Sequence, residues 1–250
     1  MKTDQIEEFY TNDSKEYDDR WVKKGGEYTN KSQIEIVKEL TSTWKNQNLL
    51  EIGCGSGRFS VILAKSNPNM IFMDLSEAML EITLQKAGHN HKGLNASVYK
   101  IPLPSNSIDA VLSINVLNHI EDLEKALSEI NRVLMDEGEL VINFANLFSY
   151  YFLAGLLVNL QQKSLGRQVY SRWVKPSVFF NLMKNSGFEI VEQVGNVFVP
   201  IYLDFPVIRE LPIFLDKVSA RSFLRFFSPA IFIKCKKVGN VASKRKVNTT

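Results

Sequence analysis

Five residues at two predicted strand ends decide what chemistry this chain can do. Glu51, Gly53, Gly55 and Gly57 fall in the run Asn48-Leu49-Leu50-Glu51-Ile52-Gly53-Cys54-Gly55-Ser56-Gly57-Arg58-Phe59-Ser60. Asp74 closes a second apolar run, Met70-Ile71-Phe72-Met73, roughly twenty residues on. Glycine lacks a Cβ and takes φ > 0, so alternating glycines let the main chain lie directly against a ligand. A carboxylate at the tip of the next strand can accept hydrogen bonds from a ribose. Dinucleotide sites space their glycines G-x-G-x-x-G, because a pyrophosphate must reach a helix N-terminus. Here the spacing is G-x-G-x-G, with Arg58 at the position of a third dinucleotide-type glycine. Glu51 would repel a pyrophosphate and suits a cationic ligand. These features disfavour a nicotinamide dehydrogenase.

Positioning such a site takes alternating strands and helices. Leu49 to Ile52 is short and apolar, as a buried parallel strand requires, and Phe59 to Lys65 follows at helical spacing. Met70 to Leu75 reads as strand two, and Ser76 is a natural N-cap for a helix to about Ala87. Leu94 to Tyr99 reads as strand three and Ala110 to Asn115 as strand four. A helix then carries Leu123, Ala126, Leu127, Ile130, Val133 and Leu134 on one face and closes at Asp136-Glu137-Gly138, with Gly138 expected in the left-handed cap. Glu139 to Ala145, Phe188 to Val194 and Ile231 to Lys236 supply strands five to seven. A helix from Ser32 to Trp44 precedes strand one, and Pro176 opens another in its first turn. The class is α/β, with a right-handed, mostly parallel sheet and the ligand at the strands' carboxyl ends.

Composition narrows the partners. The chain has 250 residues, 45% of them hydrophobic, enough for one elaborated domain. A net charge of +3 argues for no nucleic acid partner. Cys54 and Cys235 are too few and too far apart for a disulfide framework, which points to a reducing cytoplasm. The polar start Met1-Lys2-Thr3-Asp4 does not read as a signal peptide. Leu140 to Gln162 holds no charged residue and is long enough to span a bilayer. Its Asn143, Asn146, Ser149, Asn159, Gln161 and Gln162 favour a buried strand leading into an apolar cover helix. His89 and His91 read as exposed loop residues with no ligating cluster beside them, so no metal is expected.

Glu51-x-Gly53-x-Gly55-x-Gly57 after a strand resembles motif I of class I S-adenosylmethionine (SAM)-dependent methyltransferases. The resemblance extends to Ile101-Pro102-Leu103-Pro104 through Ser107-Ile108-Asp109 and to Ile130-Asn131-Arg132-Val133-Leu134 with Glu137-Gly138-Glu139-Leu140-Val141-Ile142. It covers roughly Glu35 to Gly195 on the α/β frame and is specific between Leu49 and Ile142. It implies a Rossmann-like, seven-stranded sheet whose last strand is antiparallel, binding SAM and releasing S-adenosyl-L-homocysteine. Carried over residue by residue, Glu51, Gly53, Cys54, Gly55 and Gly57 would hold the amino-acid end. Asp74 and Leu75 would hold the ribose and adenine edge, with Met79 and Asn115 also in the cofactor shell. The acidic residue that usually takes the adenine amino group falls at Ser97, so Ser97 or the Val98 backbone must substitute.

The same resemblance reads residues 1–30, with Phe9-Tyr10 and Glu16-Tyr17-Asp18, as a lid over the cofactor; the alternative is a surface helix whose rings pack on the domain. Residues 31–237 form the catalytic domain, with cover insertions about 146–175 and 196–229, and 238–250 is a basic tail expected to be disordered. Tyr10, Tyr17, Trp21, Tyr150 and Tyr151 are the candidate acceptor and lid residues. His119, at the mouth of strand four, is a candidate general base, a cofactor-shell contact or a structural residue. Asn115-Val116-Leu117-Asn118 lacks the tetrad typical of nucleic-acid amino-methyltransferases. The expected activity is methyl transfer to a small or lipid-like acceptor, most readily at oxygen. N- or C-methylation, or a non-catalytic SAM-binding or partner-activating module, is the alternative. Arg209, Lys217, Arg221 and Arg225 among aromatics also permit weak peripheral contact with anionic lipid.

Overall fold

Alternation along β1 (Leu49–Ile52) sets the layers of the fold. Successive strand side chains point to opposite faces. Leu50 and Ile52 join one apolar cluster while Leu49 joins the other, which leaves Glu51 on the Leu49 face. The computed structural model describes residues 3–14, 17–22, 26–149, 151–152, 172–196, 216 and 218–238. Ahead of β1 come α1 (Thr3–Asp13), a 3₁₀ turn (Tyr17–Trp21) and α2 (Gly26–Leu40). After it come α3 (Ser60–Leu63), β2 (Ile71–Asp74), α4 (Glu77–Ala87), β3 (Lys92–Asn95), β4 (Ile108–Ser113) and α5 (Leu123–Val133). The chain continues through β5 (Leu134–Asn146), β6 (Trp173–Val174), α6 (Pro176–Asn185), β7 (Phe188–Asn196) and β8 (Ala230–Lys237).

The sheet order is β3-β2-β1-β4-β5-β8-β7, parallel except that β8 runs antiparallel to both its neighbours. This is the expected seven-stranded, Rossmann-like arrangement with an antiparallel last strand. A two-residue β6, absent from the sequence reading, pairs parallel with the end of β5 through Ala145 and Trp173. One apolar layer packs α5 and α6 on the sheet through Leu127, Ile130, Phe179 and Met183. The opposite layer packs α2 and α4 through Val37, Leu40 and Leu80.

Several local expectations need correction. β3 starts at Lys92 and ends at Asn95, so Ser97 and Val98 lie in the turn beyond it. α2 begins at Gly26, so one helix crosses the expected boundary at residue 30. The left-handed residue in this stretch is Glu137 (φ 63°), inside β5, and not Gly138. Gly138 is needed for space, because a Cβ there would lie 2.8 Å from the Met135 carbonyl oxygen and 3.0 Å from that of Asp109. His91 is buried, packed on Phe72, with Nδ1 3.3 Å from the Met70 carbonyl oxygen. Much of both cover insertions, and the tail from 239 on, lie outside the described residues. No helix among the described residues is long and apolar enough to cross a membrane.

The Phe144 ring stacks on Phe179 at 4.2 Å between centroids, joining β5 to α6 in a region with no solvent access. Phe144→Ala should lower unfolding stability by about 3–5 kcal/mol in urea titration. A loss below about 1 kcal/mol would contradict this packing.

Candidate functional site

The turn after β1 is tied to the end of β2. Gly53 and Cys54 both donate to the Met73 carbonyl oxygen, at 2.7 and 3.2 Å. The Gly55 amide donates to Asp74 Oδ2 at 2.8 Å, and the Ser76 amide donates to Asp74 Oδ1 at 2.9 Å. Gly53 takes φ 69°, and a Cβ there would fall 2.2 Å from Val116 Cγ2, so the tip of β4 closes directly on the turn. Gly57 takes φ 85° with Thr83 of α4 packed 3.3 Å from where its Cβ would be. No other residue type meets both demands at Gly53 without strain.

Above the turn lies a cavity of about 150 Å³ at the carboxyl ends of β1, β2 and β4. It is bordered by Gly53, Cys54, Gly55, Asp74, Leu75, Met79, Ser97, Val98, Asn115 and His119, and by Tyr10 and Tyr17 from the N-terminal segment. Glu51, Gly57 and Trp21 are not on its wall. Glu51 and Gly57 are buried behind the turn, and Trp21 packs behind Arg58. Tyr151 does not border it, and Tyr150 lies outside the described residues. Among residues the sequence did not assign to the ligand, the wall includes Glu7, Arg58, Tyr99 and Glu121. Only Arg58 stood in a motif. The others arrive from helices and turns whose spacing gives no sign of a site.

The N-terminal segment is fastened across the mouth. Tyr10 Oη lies 2.9 Å from His119 Nε2, and its ring makes edge contacts with Tyr17 at 6.1 Å. Thr11 Oγ1 meets Ser76 Oγ at 2.9 Å, and Ser76 Oγ in turn accepts from the Met79 amide to cap α4. The Ser56 hydroxyl and the Lys86 ammonium both donate to Asp18. On the far side Gln33 of α2 accepts from Arg58 Nη2 at 3.0 Å and from Asn115 Nδ2 at 3.2 Å. Asn143 accepts the Asn115 amide at 2.7 Å and donates to Asn115 Oδ1 at 2.8 Å. That pairing holds Asn115 at φ 62°, a conformation that costs a non-glycine residue energy.

Charge around the turn is heavily desolvated. Burial pushes Glu51 up to about 8, against the hydrogen bond it accepts from Ser60 Oγ at 2.5 Å. Burial also raises Asp74, opposed by the backbone donors of Ser76, Gly55 and Leu75. Burial lowers Arg58 to about 10, while Tyr17, Asp18 and Glu51 act the other way. A ligand with positive charge would favour the ionised form of the two buried carboxyl groups under this main-chain cradle. Among the described residues no group of His, Cys, Asp and Glu could hold a metal ion.

Comparison with known proteins follows the same stretch. Residues 50–142 match the family of the methyltransferase domain. That stretch is a methyltransferase domain, and the chain has the fold of class I SAM-dependent methyltransferases. An uncharacterized protein of Methanocaldococcus jannaschii is 28% identical, covering 94% of this chain and 92% of its own length. A ubiquinone biosynthesis O-methyltransferase of Rickettsia canadensis is 25% identical, covering 71% of this chain and 81% of its own. Among solved structures, a SAM-dependent methyltransferase of Thermotoga maritima, described as a possible histamine N-methyltransferase, superposes with a TM-score of 0.69 at 19% identity. That superposition covers 93% of this chain and 99% of the other.

Glu51 makes a signed prediction. Its native carboxyl keeps a proton up to about pH 8, from an ordinary 4.5 in the unfolded chain. The native state binds more protons across that window, so stability falls as pH rises through it. Glu51→Gln should flatten the slope in urea unfolding between about pH 5 and about pH 8. An unaltered slope would show that Glu51 is not the group responsible.

Proposed function

We propose that this methyltransferase moves a methyl group from SAM to an oxygen of a small or lipid-like acceptor, releasing S-adenosyl-L-homocysteine. One observation carries the reading: Gly53, Asp74, Tyr10 and His119 border one cavity, and the Gly53 turn leaves no room for a side chain. In this reading the main chain at Gly53, Cys54 and Gly55 receives the amino-acid end, with Glu51 and Gly57 supporting it from behind. Asp74 and Leu75 take the ribose and adenine edge. Met79, Ser97 and Val98 flank the adenine, and Asn115 completes the shell. SAM supplies an electrophilic methyl on a sulfonium, whose S–C bond breaks as the acceptor's O–C bond forms.

The chain's own residues orient donor and acceptor in line, the contribution such a displacement chiefly needs. Apolar side chains such as Ile52, Met73 and Ile114 keep water from the reacting atoms. His119 takes the acceptor's hydroxyl proton at Nε2, where Tyr10 now sits. Residues 1–30 act as the lid through Tyr10, Tyr17 and Trp21, and Tyr150 and Tyr151 remain candidates for contact with the acceptor. Oxygen is favoured over nitrogen because Asn115 Oδ1 is already committed to Asn143 rather than to an amine. The O-methyltransferase relative supports it more weakly. A lipid-like acceptor and weak peripheral contact with a membrane accord with exposed Phe223, Leu224 and Phe227 beside Arg225. No nucleic acid partner is proposed. Two free, buried cysteines accord with a cytoplasmic setting.

Calorimetry with SAM tests the cofactor half: Asp74→Ala should weaken binding by about tenfold or more, since charge-assisted hydrogen bonds to the ribose are lost. Unchanged affinity would remove Asp74 from the site. Turnover with an acceptor panel tests the other half. His119→Ala should cost about 100-fold in kcat with SAM affinity kept; a loss within about threefold would reject the base.

A further inference from the structure

A second concavity, a groove of about 1060 Å³, shares Glu121 with the cavity at the carboxyl ends of β1, β2 and β4. It matches the upper end of small-molecule sites, about 300–1,000 Å³. Leu147, Phe152, Trp173 and Leu182 give it an apolar lining. Strand β6 sets it beside His119. The Arg172 amide donates to the Asn118 carbonyl oxygen at 2.8 Å, and Asn118 Oδ1 accepts from the Ala145 amide at 3.1 Å. β6 is thereby fastened to the turn that ends in His119.

Donors without acceptors collect on one side of this groove. Arg172 and Lys175 line it, and among the described residues neither cation has a carboxylate within ion-pairing distance. Between them in sequence, the Trp173 indole nitrogen is buried with no hydrogen-bond partner among the described residues. Helix α6 begins there too. Pro176 carries no N–H, Lys175 supplies no side-chain cap, and the first turn holds no acid, so the Ser177 and Val178 amides lack helical partners. A cation at a helix N-terminus has the unfavourable sign, and a bound anion offsets both.

Helix α5, across the groove, is built the opposite way. Asp122 accepts the Lys125 amide at 3.0 Å, and Glu124 stands in the first turn. With Glu121, Asp122 and Glu124 on the α5 side and Arg172 and Lys175 on the α6 side, the groove is polarised. An anion is drawn to α6 and kept from the side where Glu121 also borders the cofactor cavity. Two cations facing three acids suit a single carboxylate better than a multiply charged phosphate.

Resting on the methyltransferase reading above, we propose that this groove holds the acceptor and that the acceptor is an acidic amphiphile. Its carboxylate meets Arg172, Lys175 and the start of α6, and its apolar body lies along Leu147, Phe152 and Trp173. Its hydroxyl extends past Glu121 toward His119. The charge pattern thus sets which end of the acceptor faces the methyl group.

Calorimetry on the full chain with S-adenosyl-L-homocysteine bound tests this, using dodecanoate and its neutral counterpart dodecanol as probes. The wild type should bind dodecanoate about 10-fold or more tighter, the range of a charge-assisted hydrogen bond. Arg172→Gln with Lys175→Gln should abolish the preference while dodecanol affinity stays within about threefold. Val178 is 55% exposed, and Val178→Asp puts an acid in the first turn of α6, which favours the helix. It should nonetheless cut dodecanoate binding about 10-fold and spare dodecanol. In turnover, a free hydroxy acid should be methylated faster than its methyl ester. The proposal is overturned if the wild type binds both probes equally or neither, or if the ester is the better acceptor. It is also overturned if the double substitution weakens both probes equally, as a structural role would, or if Val178→Asp leaves the preference intact. Should the double variant fail to fold, Val178→Asp decides. Failure of S-adenosyl-L-homocysteine to bind would instead overturn the SAM reading, and the same titration without the nucleoside still judges the anion site.

Discussion

The hydrogen bond from the Gly55 amide to Asp74 is the contact on which the rest of the site depends. It joins the ends of β1 and β2, and the Met73 carbonyl reinforces it by accepting from Gly53 and Cys54. Thr83 of α4 then donates to the Gly55 carbonyl at 2.7 Å, so the turn is held from three elements. With the main chain fixed there, Val116 can press against Gly53 and close the floor of the cavity. The cost is electrostatic. Two carboxyl groups are desolvated close to the same turn, which disfavours their ionised forms; a cationic ligand would favour ionisation and an anionic one would oppose it further.

On the α2 side of this turn the fold uses neutral amides. Asn143 shares the face of β5 that carries Val141, and Asn196 shares the face of β7 that carries Val194. Both therefore point toward α2, where Gln33 meets them or their partners. Satisfied amide networks of this kind specify one arrangement without the desolvation cost of buried charge. These bonds tie α2 to the turn and to the ends of β4, β5 and β7. The N-terminal segment is attached to these elements through Arg58 and Trp21, and to α4 through Asp18 and Lys86.

Much of this was legible from spacing. The strand-turn-helix at Leu49–Leu63 and the place of Asp74 follow from period and punctuation, which are local, whereas the seven-strand order with its antiparallel last strand came from the family resemblance. The stretch from Leu49 to Ile142, where the resemblance was specific, coincides closely with the matched residues 50–142. What sequence missed depends on contacts between distant positions. Asn143 reaches Asn115 across 28 residues, Gln33 reaches Asn115 across 82, and Tyr10 reaches His119 across 109. His91 was misread because its burial comes from Met70 and Phe72 on the neighbouring strand, which no feature of its own loop announces. Gly138 was misread because a glycine can be required for φ or for room, and only the fold tells which.

A crystal structure of the full chain grown with S-adenosyl-L-homocysteine addresses the central claim most directly. The account predicts the nucleoside in the cavity beneath Tyr10 and Tyr17, its ribose hydroxyls on Asp74 and its amino-acid end against Gly53 and Gly55. Density for the nucleoside elsewhere, or a ribose that leaves Asp74 untouched, would contradict it.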